Sequence, residues 1–176
     1  MIKLNLGGGK KKINGFLNVD LIKTSQTDVV HDLNVFPWPF KDNSVDAIIM
    51  DNVLEHLKDI TLVMKELWRI CKNKARIKIF VPHFASLGAY VDPTHYHFFT
   101  YYSFEVYSRE SCKKSFDIFD YYTGKEKFKI LKRKITYPKG LFFFEWFANK
   151  FPKFHETFLR KFLPVRNLEF ELEVEK

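Results

Sequence analysis

The chain has 176 residues, about the size of one domain, and we expect residues 1–176 to form a single one. Its hydrophobic fraction of 46% and charged fraction of 28% exclude a disordered or collagen-like chain. No run approaches the ~20 consecutive apolar residues of a membrane-spanning helix, and the strand-like start at Ile2–Leu6 does not resemble a secretory signal. Cys71 and Cys112 lie far apart without a CxxC motif, which indicates neither a disulfide framework nor a zinc site. The expected location is cytoplasmic.

The formal net charge of +8 is concentrated in the C-terminal half of the chain. Residues 101–164 hold 14 Lys and Arg against 7 Asp and Glu, and lysines there alternate with aromatic residues. Such a surface suits an acidic small molecule, a nucleic acid or an anionic membrane. The alternative is that these lysines lie on the solvated faces of strands and helices, so charge alone does not identify a partner.

The first half of the sequence predicts buried strands separated by short connections. Residues 45–50 are apolar apart from Asp46, a run typical of a strand that is buried on both faces. A helical period follows over residues 59–71 with Asp59 as its N-cap, and residues 75–81 alternate like a strand until Pro82. Shorter strand-like runs lie at residues 2–6, 16–20 and 28–31. This order predicts an α/β fold with a doubly wound, mostly parallel sheet.

The second half predicts a different ending for the sheet. Residues 127–137 and 167–175 alternate charged and apolar side chains, which is typical of antiparallel strands with one face in solvent. Residues 141–162, between them, form an aromatic-rich helical stretch interrupted near Pro152. We therefore expect an antiparallel pair at the end of the sheet, with a helical insertion at residues 138–164 that caps it.

A glycine run follows the first strand, and an acid follows the second. The glycines are Gly7, Gly8 and Gly9, and the acid is Asp20. Glycine lets a backbone approach a ligand closely, and an acid at a strand end can accept hydrogen bonds from both ribose hydroxyls. The spacing does not fit a dinucleotide site, because Lys12 stands where GxGxxG needs its third glycine. A simple chain turn is the alternative.

The motifs of the first hundred residues are specific as an ordered set. They are LNLGGG at residues 4–9, DL at 32–33, DNVLEHL at 51–57 and DPTH at 92–95. This succession resembles the class I S-adenosylmethionine-dependent methyltransferases, and most closely their small type 11 subgroup. The resemblance covers residues 2–100, and the segment 164–174 is similar to the last strand of that subgroup. It implies a Rossmann-like sheet and S-adenosylmethionine as cofactor.

The resemblance also implies which residues hold the cofactor. They are Gly7, Gly8, Gly9, Asp20, Asp32, Leu33 and Asp51. The glycines would border the amino-acid half, Asp20 would hold the ribose, and Asp32 would accept from the adenine amino group while its apolar neighbour covers the ring. Asp51 would line the methionine side. Residues 9–16 and 21–27 are too short for the helices of larger relatives, so we expect a less covered sheet and a more exposed cofactor.

Ionisable residues cluster after the fifth strand, in residues 83–100, which we expect to form an active-site loop closing as a lid. His95 or His56 is the expected general base, because the unperturbed pKa of histidine lies near neutrality, and Asp92 is expected to act with it. As alternatives, Asp92 caps a turn, His95 donates to Asp92 for structural reasons, and His56 caps a helix. A metal held by His83, Asp92, His95 and His97 is less favoured, and we expect none.

The expected function is methyl transfer to a small-molecule or sugar-like acceptor, because nothing resembles a separate nucleic-acid-binding module. A nucleic-acid-directed methyltransferase is the alternative, suggested by the basic C-terminal half. A cofactor-binding protein without turnover is another, because no base is unambiguous. Residues 140–162 have three interpretations: core packing, peripheral membrane contact or self-association.

Overall fold

The computed structural model describes residues 1–108 and 127–176, so Cys112 lies outside it. Its strands are β1 (Ile2–Leu6), β2 (Leu17–Asp20), β3 (Val29–Val30), β4 (Val45–Asp51), β5 (Cys71–Pro82), β6 (Lys127–Ile135) and β7 (Asn167–Glu175). They form one sheet in the order β3-β2-β1-β4-β5-β7-β6. The first five strands pair in parallel, whereas β7 runs antiparallel to both β5 and β6. The predicted α/β fold with an antiparallel end is confirmed.

The antiparallel end follows from strict alternation along β7. Its four apolar residues Leu168, Phe170, Leu172 and Val174 are buried, and the residues between them are half-buried. The acidic residues of β7 lie opposite basic residues of β6, with Lys129 paired to Glu173 and Lys132 to Glu171 in register. Opposite charges directly across a sheet stabilise the pairing. Much of the positive charge of β6 is therefore balanced within the sheet.

One helix, α1 (Ile60–Ile70), crosses from β4 to β5. The Asp59 side chain caps it by accepting a hydrogen bond of 2.9 Å from the Leu62 N–H, as the sequence predicts. Its inner side buries Val63, Met64, Leu67 and Ile70 in the core. The strand β5 begins directly at Cys71, four residues earlier than predicted. The extra residues pair irregularly with β4 and include Lys74 at φ 65°, which breaks the alternation that sequence reasoning depends on.

The connections that precede β4 contain no helix, so α1 is the one α-helix of residues 1–108. Residues 9–16 and 21–27 are loops, as their length predicts. The end of β2 is consequently open to solvent, and Leu21 and Ile22 just beyond it are exposed. This edge of the sheet is less covered than in a fold with a helix at each crossover.

The aromatic insertion forms α2 (Phe142–Lys150), the short α3 (Pro152–Phe154) and a π-helical turn (His155–Leu159). The interruption at Pro152 is thus confirmed. Asn149 ties α2 to β6, because its side chain accepts from the Ile135 N–H and donates to the Ile135 carbonyl, each at 2.8 Å. The core-packing interpretation is wrong for most of its rings. Eight large aromatic residues are exposed: Phe142, Phe143, Phe144, Trp146, Phe151, Phe154, Phe158 and Phe162.

Candidate active site

A cavity of about 500 Å³ lies at the carboxyl ends of the first four strands. Gly7 follows β1, Asp20 ends β2, Asp32 follows β3, and Asn52 follows β4, and all four residues line it. The strand order reverses here, between β1 and β4. Open α/β sheets bind ligands at this switch point, and the volume suits a molecule the size of a nucleoside cofactor.

The structure brings together four of the seven predicted cofactor residues. Gly7, Asp20, Asp32 and Leu33 line the cavity. The other three, Gly8, Gly9 and Asp51, lie at its margin without lining it. The Asp51 carboxylate instead pairs with the Lys11 ammonium at 2.5 Å.

The Asp20 carboxylate is fixed by two backbone groups. One oxygen accepts a hydrogen bond of 2.7 Å from the Gly9 N–H, and the other accepts one of 3.0 Å from the Ile22 N–H. A carboxylate has roughly four acceptor positions, so about two remain for hydroxyl groups of a ligand. Asp20 therefore presents a preoriented acceptor at the cavity wall, as a ribose-binding acid requires.

A buried tryptophan supports the part of the cavity wall that contains Leu33. The Trp38 indole N–H donates to the Leu33 carbonyl at 3.1 Å, and the Trp38 backbone N–H donates to the Glu66 carboxylate at 2.5 Å. Asp32 accepts from the Asn34 backbone N–H at 2.9 Å, which fixes its carboxylate in a turn. No local sequence pattern indicates these supports, because Glu66 is 28 residues from Trp38 and lies on α1.

Two of the glycines are required by packing around the site. Gly7 has a φ of +64°, and a Cβ there would lie 2.3 Å from a Val53 methyl group. A Cβ at Gly8 would lie 1.8 Å from the Asn18 side-chain oxygen and 2.4 Å from the Asn5 amide nitrogen. These two amides are buried and hydrogen-bonded at 2.6 Å. The turn after β1 is therefore held by side chains beneath it, which the glycine pattern alone did not indicate.

A hydrogen-bonded chain of three side chains reaches the cavity. The Thr94 hydroxyl donates to Asp92 at 2.7 Å, and its oxygen lies 2.9 Å from Nδ1 of His56, which lines the cavity. Because the hydroxyl proton is committed to Asp92, Thr94 accepts from the Nδ1–H of His56. The Nε2 atom of His56 then carries the lone pair. Hydrogen bonds from Thr94 hold the pKa of Asp92 below its usual range, which keeps it an acceptor.

His95 lies against His56, with ring centroids 4.6 Å apart in an edge-on arrangement. Its Nδ1 atom lies 3.0 Å from the Ala89 carbonyl, which can only accept, so His95 also carries its lone pair on Nε2. The His95 side chain makes this contact instead of one to Asp92, whereas the His95 backbone N–H donates to the Asp92 carbonyl at 3.4 Å. Asp92 instead caps its turn through the Thr94 N–H at 2.9 Å. His56 lines the cavity and His95 does not.

Glu55 is a functional candidate that sequence reasoning missed. It is 1% exposed, and neither carboxylate oxygen has a hydrogen-bond partner among the described residues. Burial raises the pKa of Glu55 to about 7. One carboxylate oxygen of Glu55 and one ring nitrogen each of His56 and His95 all lie within 4.8 Å of one another. Buried polar groups are normally hydrogen-bonded, so this carboxyl is an acceptor suited to a ligand.

The predicted alternative metal set is not brought together. His83 lies 3.0 Å from the Glu156 carboxylate, and Nε2 of His97 lies 3.3 Å from the Lys58 carbonyl, both away from His95. His83 belongs instead to a buried group in which Glu156 also accepts from a backbone N–H at 2.9 Å. The group of Glu55 and its two histidines has donors that a divalent cation can use. The expectation of no metal stays a prediction.

Comparison with known proteins agrees with this geometry. Residues 15–79 match the family described as a methyltransferase domain. The matched segment, 65 of the 176 residues, is similar to a methyltransferase domain. This confirms the methyltransferase resemblance seen in the sequence, and S-adenosylmethionine is the predicted cofactor. No curated protein matches the chain significantly in sequence.

Solved structures of this methyltransferase fold cover nearly the whole chain. A SAM-dependent methyltransferase from Archaeoglobus fulgidus is 17% identical, covers 97% of this chain and 85% of its own, and has a TM-score of 0.55. One from Mesorhizobium loti is 10% identical, with 98% and 90% covered and a TM-score of 0.55. The [4+2]-cyclase SpnF is 12% identical, with 98% and 74% covered and a TM-score of 0.55. At such identities the likeness shows the fold alone, and the cyclase illustrates that one fold hosts several reactions.

Proposed function

We propose that this methyltransferase transfers a methyl group from S-adenosylmethionine to a hydroxyl or amine of a small, sugar-like acceptor. The observation that carries the proposal is the cavity at the switch point. It joins Asp20 and Asp32, the acids expected to hold the cofactor, to His56, a histidine with an oriented lone pair. A cofactor site and a candidate base therefore share one wall.

The residues present fit the cofactor. Asp20 has acceptor capacity left for the ribose hydroxyls, and Asp32 beside Leu33 offers an acceptor and an apolar surface for adenine. When bound, S-adenosylmethionine supplies an electrophilic methyl group on a positively charged sulfur. The carboxylate of Asp20, which lines the cavity, favours such a cation at short range.

His56 takes the acceptor proton in this proposal. Bound S-adenosylmethionine would supply the methyl group, and Nε2 of His56 would take the proton that the acceptor oxygen or nitrogen loses. Thr94 and Asp92 hold the imidazole in the required tautomer and orientation. Asp92 thus acts through Thr94 and is a positioning residue.

Glu55 supports a polar acceptor. One oxygen of this buried carboxyl lies within 4.8 Å of a ring nitrogen of His56 and of His95, and the proposal requires an acceptor hydroxyl or amine to reach it from the cavity that His56 lines. Leaving such a buried carboxyl unpaired is unfavourable, so an acceptor with several donors binds better than an apolar one. This preference favours polyhydroxylated or amino acceptors.

The nucleic-acid alternative has less support. The basic residues of β6 are largely paired: Lys134 lies 2.7 Å from Glu145, Arg133 lies 2.5 Å from Glu105, and Lys132 faces the acidic strand β7. A surface that tracks phosphates needs cations free to contact them. The basic residues of β6 are therefore largely paired within the fold, and the exposed lysines of residues 139–161 are the described cations that a nucleic acid would have to use.

Calorimetry and turnover separate the candidate functions. We expect S-adenosylhomocysteine to bind and single-stranded RNA not to bind, whereas binding of both favours a nucleic-acid substrate. Turnover is then followed over a panel of sugars, polyols and amines. His56→Ala should lower the rate about 10²–10⁴-fold with cofactor affinity kept, as removal of a general base does. His97→Ala is the matched control.

Three results would overturn this assignment. One is binding of S-adenosylhomocysteine without turnover on any acceptor class, which favours a cofactor-binding protein. Full activity of His56→Ala removes the proposed base. Loss of activity with a chelator, restored by a divalent cation, assigns the cluster of Glu55, His56 and His95 to metal binding instead of proton transfer.

A further inference from the structure

The insertion between β6 and β7 carries an unusual exposed surface, which we call the aromatic face. It consists of Phe142, Phe143, Phe144, Trp146, Phe151, Phe154, Phe158 and Phe162. Phe142, Phe143 and Phe162 are 78%, 66% and 81% exposed. Single exposed apolar residues are ordinary on a protein surface. Here eight large exposed aromatic rings lie within 21 residues of sequence, and such a concentration marks an interaction site.

The charge around the aromatic face is positive. Lys139, Lys150, Lys153 and Lys161 are exposed in the same segment. Its two acids are committed elsewhere. Glu145 pairs with Lys134 on β6 at 2.7 Å, and buried Glu156 bonds to His83 at 3.0 Å. The outward side of the segment therefore offers cations without opposing carboxylates.

Cations and rings are interleaved on this face. The Lys150 ammonium lies 4.7 Å from the Trp146 ring centroid and 5.7 Å from that of Phe151. A groove of about 680 Å³ is lined by Phe151, Phe154 and Phe158 together with two lysines. Apolar walls with a cationic rim match the boundary between lipid headgroups and acyl chains.

We propose that the aromatic face docks on an anionic lipid surface. Aromatic rings bind at the depth of the headgroups, and each nearby lysine gains from the negative surface potential. The described helices include none long and apolar enough to cross a membrane, so the contact is peripheral. Charge complementarity selects lipid over a second copy of this chain, because two such faces would bring their lysines together.

Hydrogen bonds and one cation–ring contact attach the segment to the neighbourhood of the candidate active site. The Tyr137 hydroxyl lies 2.7 Å from buried His155, and Glu156 also accepts from the Tyr101 N–H at 2.9 Å. The Arg160 guanidinium lies over the Phe84 ring at 4.6 Å, in the loop of residues 83–100. Docking therefore places this loop close to the membrane. The docking itself does not depend on methyl transfer.

Vesicle binding by the full chain tests the proposal. We expect sedimentation with phosphatidylglycerol vesicles, little with phosphatidylcholine, and weakening by salt. The triple variant Phe142→Ser, Phe143→Ser and Phe162→Ser should lose at least tenfold in partitioning. A second triple variant combines Lys150→Gln, Lys153→Gln and Lys161→Gln. Its partitioning onto the vesicles should fall about 100-fold, at about fivefold per cation. Two control variants carry the same kinds of substitution outside the aromatic face. One combines Val35→Ser with Leu62→Ser, and the other combines Lys41→Gln, Lys65→Gln and Lys78→Gln.

Tryptophan fluorescence gives a second readout. Trp146 is 54% exposed, whereas Trp38 is buried and the Trp68 indole is bonded to the Glu175 carbonyl at 2.8 Å. A blue shift on adding anionic vesicles should therefore vanish in Trp146→Phe while sedimentation persists. Equal sedimentation of the serine and lysine variants with the wild type overturns the proposal. So does a lipid-free dimer that the triple serine variant converts to a monomer, since the face then joins two copies.

Discussion

The Thr94 hydroxyl lies 2.9 Å from Nδ1 of His56, across 38 residues of sequence. This contact joins the DPTH motif to the EHL motif and places the proton of the neutral His56 ring on Nδ1, which leaves the lone pair on Nε2. Neither motif alone assigns that role. The loop of residues 83–100 is further tied down where the Tyr96 N–H donates to the Glu55 carbonyl at 2.8 Å.

Thr94→Val tests this contact, because valine keeps the shape and removes the hydroxyl. We expect methyl transfer to fall about tenfold or more, since the His56 tautomer is no longer held, with S-adenosylhomocysteine affinity unchanged. The pH profile of the rate should shift as His56 loses its partner. Thr157→Val, at an exposed hydroxyl bonded to the Lys153 carbonyl, is the control. An unaltered rate and profile would show that Thr94 only shapes the loop.

Glu55→Gln should change how stability depends on pH. The pKa of Glu55 is raised by burial from 4.5 to about 7, so the folded protein keeps a proton that the unfolded chain releases between these values. Stability of the wild type therefore falls as the pH rises through this window, by up to about 3 kcal/mol for a shift of this size. The Glu55→Gln variant lacks this loss. Its free energy of unfolding in urea, relative to that of the wild type, should therefore be higher at pH 8 than at pH 4.

Asp46→Asn provides a control of opposite sign. Hydrogen bonding to Lys72 lowers the pKa of Asp46, so its contribution is present at neutral pH and is lost as the pH falls through the acid range. Asp46→Asn should thus lower the free energy of unfolding at neutral pH more than at acid pH. A Glu55→Gln variant whose stability relative to the wild type does not vary with pH would contradict the buried-carboxyl account.

Gly8→Ala should destabilise the fold, because its Cβ would push into the buried pair formed by Asn5 and Asn18. We expect a loss of about 1–3 kcal/mol in the free energy of unfolding, as for overpacking. Gly88→Ala is the control, since its nearest neighbour would be the Ser86 hydroxyl at 3.6 Å. Equal unfolding midpoints for both variants would mean that the turn after β1 can move away.

The sheet and the acids that line the cavity could be predicted from the sequence. Strands such as β7 alternate cleanly, and the carboxyl ends of parallel strands must meet at one edge, which places Asp20 and Asp32 together. Local signals also found the cap at Asp59 and the break at Pro152. These features depend on residues that are close in the chain.

Features that depend on distant contacts were not predictable. In sequence Glu55 has the pattern of an ordinary helix-start residue, and only the fold shows that it is buried near His95 with no hydrogen-bond partner for its carboxylate among residues 1–108 and 127–176. The aromatic segment was equally ambiguous, because its ring pattern suits a core as well as a surface. The fold distinguishes the two, because Ala148, His155 and Glu156 are buried whereas most of the rings are exposed to solvent.

The central claim is that the cavity binds S-adenosylmethionine through Asp20, and calorimetry with S-adenosylhomocysteine tests it most directly. Asp20→Ala should remain folded and lose about 1.5–3 kcal/mol of binding free energy, because charge-assisted hydrogen bonds to both ribose hydroxyls disappear. Asp28→Ala is the matched control: Asp28 pairs with Lys12 and accepts from the Asn18 N–H at the same sheet edge, outside the cavity lining. One site in the wild type, weakened by Asp20→Ala and kept by Asp28→Ala, is the predicted result. No binding by the wild type, or equal affinity of the folded Asp20→Ala variant, would contradict it.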